Sequence, residues 1–187
     1  LHKAHQKNTP FLELLWDDDE GGFYFSIADD DQVYGRQKKI FDGALPSSNS
    51  VAMLNLVRLS RLSGNTKLED YADQTGRAFS ADLIRSGASI THAMQAIQFL
   101  QTDAREISLC APTDEVGPVL NDLREKYLPF SILHLIHADN REELADIAGY
   151  TSTQTQKDGK PTVYICRNFS CKAPVSGLEE IRKALES

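Results

Sequence analysis

Long uncharged apolar runs are missing from this chain. Its apolar runs are broken by charges within a dozen residues, as Val51 to Leu62 is by Arg58 and Arg61, well short of the roughly 20 apolar residues a membrane-spanning helix needs. Leu1 to Phe11 carries His2, Lys3, His5 and Lys7, and lacks both the apolar core and the small-residue cleavage site of a secretory signal. A soluble, cytoplasmic protein with no membrane partner is expected. A basic surplus is missing too. The formal charge is −7, with 14 acids against 11 bases in residues 1–105 and 13 against 9 in residues 106–187, so neither half offers the positive field that phosphate backbones require. Nucleic acid is excluded as a partner on this reading. Cysteine is scarce: Cys110, Cys166 and Cys171 are too few for a disulfide framework, and buried structural thiols are expected. The five histidines, His2, His5, His92, His134 and His137, have no spacing that completes a zinc site. Gly35 and Gly43 stand alone and Gly-x-Ser-x-Gly does not occur, which removes phosphate-loop, dinucleotide and hydrolase-elbow motifs. No cofactor or metal is expected.

What is present is periodic. After apolar Phe11 to Trp16 and the acidic turn Asp17 to Gly22, Phe23, Phe25 and Ile27 alternate with Tyr24, Ser26 and Ala28. Period two, a turn at Asp29 to Asp31 and a return at Val33 to Arg36 predict a β-hairpin. The carboxylates of Asp17 to Glu20 lack the order of a calcium loop and are read as a solvated turn. Three helices are then predicted, at about 47–63, 66–85 and 89–101, with Gly64 ending the first. Beyond Thr102 strands alternate with helices: strands at Ile107 to Ala111, Ser131 to Ile136 and Thr162 to Cys166, helices at Val116 to Tyr127, Arg141 to Ala148 and from Ser176 onward. Asn140 with Glu143, and Ser176 with Glu179, have capping-box spacing; Thr151 to Pro161 reads as a flexible polar loop. This alternation predicts a small three-stranded parallel α/β module over residues 106–187, following a helical-hairpin layer over residues 1–105.

The stretch from Arg36 to Ser50 concentrates chemistry. It sets Asp42, the bases Arg36, Lys38 and Lys39, and the polar Ser47 and Asn49 at the mouth of a helix N-terminus, where free N–H groups and partial positive charge converge. Such a mouth can hold a polyol or an anion. It can equally be local structure, with Asp42 bonded to the turn and Ser47 and Asn49 capping the helix.

Trp16-Asp-Asp-Asp-Glu-Gly-Gly-Phe-Tyr24, Phe41-Asp-Gly-Ala-Leu-Pro-Ser-Ser-Asn-Ser50 and Tyr164-Ile-Cys-Arg-Asn-Phe-Ser-Cys171 together resemble the thioredoxin-fused family of spermatogenesis-associated protein 20 and its bacterial relatives. The resemblance implies a C-terminal part of a larger protein, in which a thioredoxin-like domain, domain of unknown function 255, precedes an α/α toroid similar to N-acylglucosamine 2-epimerases and six-hairpin glycosidases. On that basis residues 1–105 are an incomplete toroid. Asp42 is the candidate catalytic carboxylate, and Tyr24, Arg36, Lys38, Ser47 and Asn49 are candidate carbohydrate-binding residues. The rival reading is a non-enzymatic scaffold that docks the thioredoxin-like domain, with Phe169 and Val175 near the contact. A thiol function for Cys166 and Cys171 is a third; pairing requires Cα atoms roughly 4.4–6.8 Å apart. Four helices cannot close a ring of twelve, so self-association, or binding to the remainder of the longer chain, is also expected.

Overall fold

The computed structural model describes residues 2–28, 35–112 and 115–185. Among them are eight α-helices and a five-stranded mixed sheet, divided into two compact units: Leu1–Ser60 with Asn65–Thr102, and Arg61–Gly64 with Asp103–Ser187.

The first unit holds α1 (His2–Leu15), most of α2 (Ser48–Ser63), α3 (Lys67–Ala78), α4 (Ser80–Ser86) and α5 (Thr91–Gln101). α2 starts where the hydroxyl cluster predicts, because Ser47 Oγ accepts the Ser50 backbone N–H at 3.1 Å, the bond from the residue before a helix to its third N–H. Its buried stripe is Ala52, Met53, Leu56 and Val57, the i, i+1, i+4, i+5 spacing of one helix face. Leu68 and Ala72 of α3, with Ala93, Ala96 and Phe99 of α5, complete the core, and α3 packs on α5. Trp16, at the end of α1, sets its ring edge-on to Phe23 at 5.1 Å and Tyr71 at 4.7 Å.

One expectation fails here. The helix predicted over 66–85 breaks at Phe79, whose φ of −105° and ψ of 18° separate α3 from α4. Gly76 weakens the helix locally, and Thr75 Oγ1 donates to the Tyr71 carbonyl at 2.8 Å, a back-bond that bends helices. The predicted β-hairpin falls only partly on described residues. Its turn and most of its return, Asp29–Tyr34, lie outside the described residues. Within them, Phe23 bridges Trp16, Tyr24 N–H donates to the Leu15 carbonyl at 2.8 Å and Phe25 N–H to the Gln37 carbonyl at 3.0 Å. Side chains also hold this segment: the Asn49 amide occupies both Phe23 backbone groups, and Arg36 donates to the Ser26 and Leu14 carbonyls.

The second unit is built on β1 (Arg105–Cys110), α6 (Val116–Arg124), β2 (Ser131–Ile136), α7 (Arg141–Ile147), β3 (Thr162–Arg167), β4 (Ser170–Cys171), β5 (Val175–Ser176) and α8 (Leu178–Ala184). The order is β2-β1-β3-β4, with β5 also on β3. β1 and β2 run parallel as predicted, but β3 is antiparallel to β1, so the all-parallel expectation is corrected. The reason lies in residues 149–161. They form a 3-10 turn at Gly149–Thr151 and a bridge between Lys157 and Lys160, and deliver β3 to the end where β1 leaves the sheet, Thr162 facing Cys110. Neither capping box forms. Asn140 turns toward β2, accepting from His137 N–H and donating to the Leu135 carbonyl. Ser176 pairs instead with Thr162 Oγ1 at 3.1 Å as part of β5.

The alternation of β1 separates the two sheet faces. Ile107 and Leu109, with Val163, pack against Val116, Val119 and Leu123 of α6 and against Ile181 and Leu185 at α8; each such side chain contributes about 1.5–3 kcal/mol on burial. The opposite face carries Glu106, Ser108, Cys110, His134, Thr162, Tyr164 and Cys166, all buried.

α2 ends at Gly64, whose φ is +77° and whose missing Cβ would stand 3.2 Å from the Tyr150 ring. Gly64→Ala is expected to lower stability by about 1–2 kcal/mol, the cost of a left-handed non-glycine residue. A urea midpoint equal to that of the parent would show that the turn is not under this constraint.

Candidate functional site

In the acidic turn, Asp17 is buried rather than solvated. Its Oδ1 accepts the N–H groups of Asp19 and Glu20 at 3.1 and 3.3 Å, and its Oδ2 accepts the Tyr24 hydroxyl at 2.8 Å and the Lys38 ammonium. Burial alone would raise the carboxyl, but the bonds from Lys38, Tyr24 and the two N–H groups outweigh it and hold Asp17 well below the usual carboxylate range. Lys38 also reaches Glu20 at 3.2 Å and the Gly21 carbonyl at 3.0 Å, while the Arg36 guanidinium lies 3.9 Å over the Tyr24 ring. Gly22, at φ +82°, permits the Phe79 ring to pack against the turn: a Cβ there would meet that ring at 3.0 Å. Tyr24, Arg36 and Lys38 are thus brought together, with donors directed to this turn and to main-chain carbonyls.

Asp42, Ser47 and Asn49 are brought together as well. Asp42 Oδ1 accepts the Ser47 N–H and Oδ2 the His92 N–H, each at 2.9 Å, so one carboxylate ties the start of α2 to the first turn of α5. Asn49 is fully buried. Its Oδ1 accepts Phe23 N–H at 2.7 Å, and its Nδ2 donates to the Phe23 and Lys39 carbonyls at 2.9 and 3.0 Å, a side-chain amide imitating a strand partner. Ser50 Oγ donates to the Ile40 carbonyl at 3.2 Å.

In the second unit Cys166 and Cys171 form a disulfide. They face each other across β3 and β4, which brings their Cα atoms to 3.8 Å, closer than the range expected for pairing. Cys166 is buried and Cys171 exposed. Beside Cys166 lies a polar cluster that sequence reading missed. Glu106, the register partner of Cys166, accepts from Arg61 Nη1 at 3.2 Å and from Phe169 N–H at 3.2 Å, and Arg61 Nη1 also donates to Asn168 Oδ1 at 2.7 Å. Burial raises the Glu106 carboxyl despite the Phe169 and Arg61 bonds. Next to it, His134 Nε2 meets the Tyr150 hydroxyl at 2.8 Å, and burial pulls the imidazole down to about 4. The signal was available in the strand itself: Glu106, Ser108 and Cys110 alternate with Ile107 and Leu109, marking a polar face on a strand otherwise read as apolar throughout. Phe169 packs on Tyr150 at 5.6 Å, and Val175 packs on the apolar core, so both contribute to the unit's own packing. Cys110 remains a buried free thiol.

No protein-family model matches the chain. It is 28% identical over 176 residues to spermatogenesis-associated protein 20 of Homo sapiens and 29% identical to that of Rattus norvegicus, covering 92% of this chain and 22% of each relative. An uncharacterized protein of Caenorhabditis elegans is 27% identical over 165 residues. The chain therefore spans about a fifth of the length of these relatives, and the similarity supports the family resemblance drawn from the three motifs.

Because the Asp17 pKa is depressed in the fold, its contribution to stability is complete above the unfolded value near 4 and is lost as pH falls below it. Unfolding measured from pH 6 to 2 should fall more steeply for the parent than for Asp17→Asn; parallel curves would remove the linkage. The disulfide closes a loop of only five positions, for which chain entropy supplies about 2 kcal/mol. Cys171→Ala should therefore lower stability by no more than about that amount, and a loss twice as large would point to a structural role beyond the short loop.

Proposed function

We propose that this chain is a non-enzymatic scaffold or interaction segment of a longer protein, and that its Phe41–Ser50 motif is a brace rather than a catalytic pocket. The observation carrying this reading is the occupancy of the motif's polar atoms: both Asp42 oxygens and every donor and acceptor of the Asn49 amide are bonded to main chain. A general acid or nucleophile must be within reach of substrate and able to exchange a proton or form a bond. Releasing Asp42 would leave a backbone N–H at the start of α2 or α5 without its acceptor, at a cost of about 1–3 kcal/mol.

Exposed apolar side chains support the interaction half of the reading. Phe41 is 62% and Leu45 80% exposed, on the loop that the Asp42 brace holds in place. The occupant this reading assigns is the remainder of the longer protein, including the thioredoxin-like domain that the resemblance implies. The same resemblance carries the toroid assignment for the helices of residues 1–105 and the alternative of carbohydrate binding or processing; glycoside hydrolysis would require a second carboxylate across from Asp42.

Two measurements test the proposal. Asp42→Ala should lower stability by about 1–3 kcal/mol, and calorimetry of the full-length protein against a carbohydrate panel should give no saturable heat. A sugar bound by the parent and lost in Asp42→Asn would overturn the brace reading. Hydrogen exchange of residues 38–46 should slow when the rest of the longer protein is present, and unchanged protection would count against docking.

A further inference from the structure

β1 and β2 lie side by side and parallel, yet the helices that follow them cover opposite faces of the sheet. α6 sends Val116, Val119 and Leu123 to the face of Ile107 and Leu109, whereas Leu144 of α7 packs against Cys110, Ile136 and Tyr164 on the other. The chain must diverge where it leaves these two strands. That divergence is the topological switch point of an open α/β sheet, where a crevice opens at the carboxyl ends of the strands. Here the crevice, open to solvent, has a volume of about 700 Å³, within the 300–1,000 Å³ usual for small-molecule sites.

The crevice is chemically differentiated. Pro112 and Ile136 give it an apolar floor, and His137, Arg141, Thr155 and Gln156 supply polar groups. Its walls are tied down before any ligand arrives. The His137 N–H is held by Asn140 Oδ1 at 3.0 Å, while Asn140 Nδ2 grips the Leu135 carbonyl at 2.8 Å. Opposite, Thr155 N–H donates to the Tyr164 hydroxyl at 3.0 Å and its carbonyl accepts that hydroxyl at 2.8 Å. Arg141 donates to the Gln154 carbonyl at 2.7 Å and is also hydrogen-bonded to the buried Cys110 thiol, which orients the guanidinium without exhausting its fork of five N–H groups. His137 Nδ1 has no hydrogen-bond partner among the described residues. The nearest acid, Asp139 Oδ2, stands 3.6 Å away on a side chain that is 88% exposed, so water screens its charge.

We propose that this crevice binds a small organic anion, its carboxylate or phosphate on Arg141, its polar body on His137, Thr155 and Gln156, and its carbon skeleton over Pro112 and Ile136. A planar guanidinium with parallel donors matches either oxyanion, and the two head groups are separated by experiment.

Backbone amide NMR of the whole chain, titrated separately with inorganic phosphate and with malonate, tests the site. The expected result is saturable shifts confined to residues 136–141 and 152–156 with at least one probe, at a dissociation constant on the order of 1 mM. The stronger probe identifies the head group. Arg141→Gln should weaken binding about tenfold. Since Arg141 also steadies residue 154, Thr155→Val provides a second variant that leaves the main-chain bonds of residue 155 intact, and it should weaken binding while keeping the parental unfolding midpoint. Non-saturating shifts with both probes, shifts spread over the surface, or parental affinity in both variants would each overturn the proposal.

Discussion

Glu106 sits in the middle strand of a sheet with no exposure to water, and the second unit is arranged around satisfying it. A carboxylate in such a place is tolerated when paired and hydrogen-bonded and is costly otherwise. Arg61, delivered by the last turn of α2, supplies the charge. The hairpin that joins β3 to β4 supplies the rest, with Asn168 on Arg61 and the Phe169 N–H on the carboxylate. Both hairpin residues adopt positive φ, 49° and 60°, a conformation that non-glycine residues take only when their surroundings compensate. The disulfide closes the same hairpin from the flanking positions. Short loop, left-handed residues and buried ion pair are therefore one assembly, and removing Arg61 would leave the Glu106 carboxyl with the Phe169 N–H but without its counter-charge, a setting in which burial disfavours the charged form.

The first unit uses the same rule to satisfy main-chain groups. Asn49 serves Phe23 as a strand would, and Asp42 serves two helix starts as a cap would. These side chains are the ones whose residue types invite a catalytic reading. The ambiguity is physical: the groups that bind substrate hydroxyls also bind backbone N–H and carbonyl groups, and only the occupancy of their lone pairs and protons distinguishes the two uses.

The two sheet faces divide the work of the second unit. One is apolar and covered by α6 and α8; the other is a buried polar layer of Glu106, Ser108, His134, Thr162 and Tyr164. Within it Glu106, His134, Thr162 and Tyr164 are hydrogen-bonded, and such bonded groups specify a packing more narrowly than apolar ones, since each has a required partner at a required distance. The crevice past Ile136 follows from the same division, because neighbouring strands send their helices to different faces.

Helix positions were legible from residue order where local physics decides them. Ser47 and Gly64 bracket α2, and apolar spacing located α3, α5 and α6. Runs of β-branched and leucine residues located β1, β2 and β3. The reversal of β3 and the hold of Asn49 on Phe23 were not legible, because each depends on a partner distant in sequence, β1 for β3 and Phe23 for Asn49; the break at Phe79 follows Gly76 and the Thr75 back-bond to Tyr71, which apolar periodicity does not register. The candidate residues divide the same way. That Tyr24, Arg36, Lys38, Asp42, Ser47 and Asn49 belong to structured, polar surroundings could be read from the chain, and so could the spacing of Cys166 and Cys171. Which of their atoms are already bonded, and that Glu106 is buried against Arg61, only the tertiary structure decided, because hydrogen-bond occupancy and desolvation are properties of groups brought together across many residues of sequence.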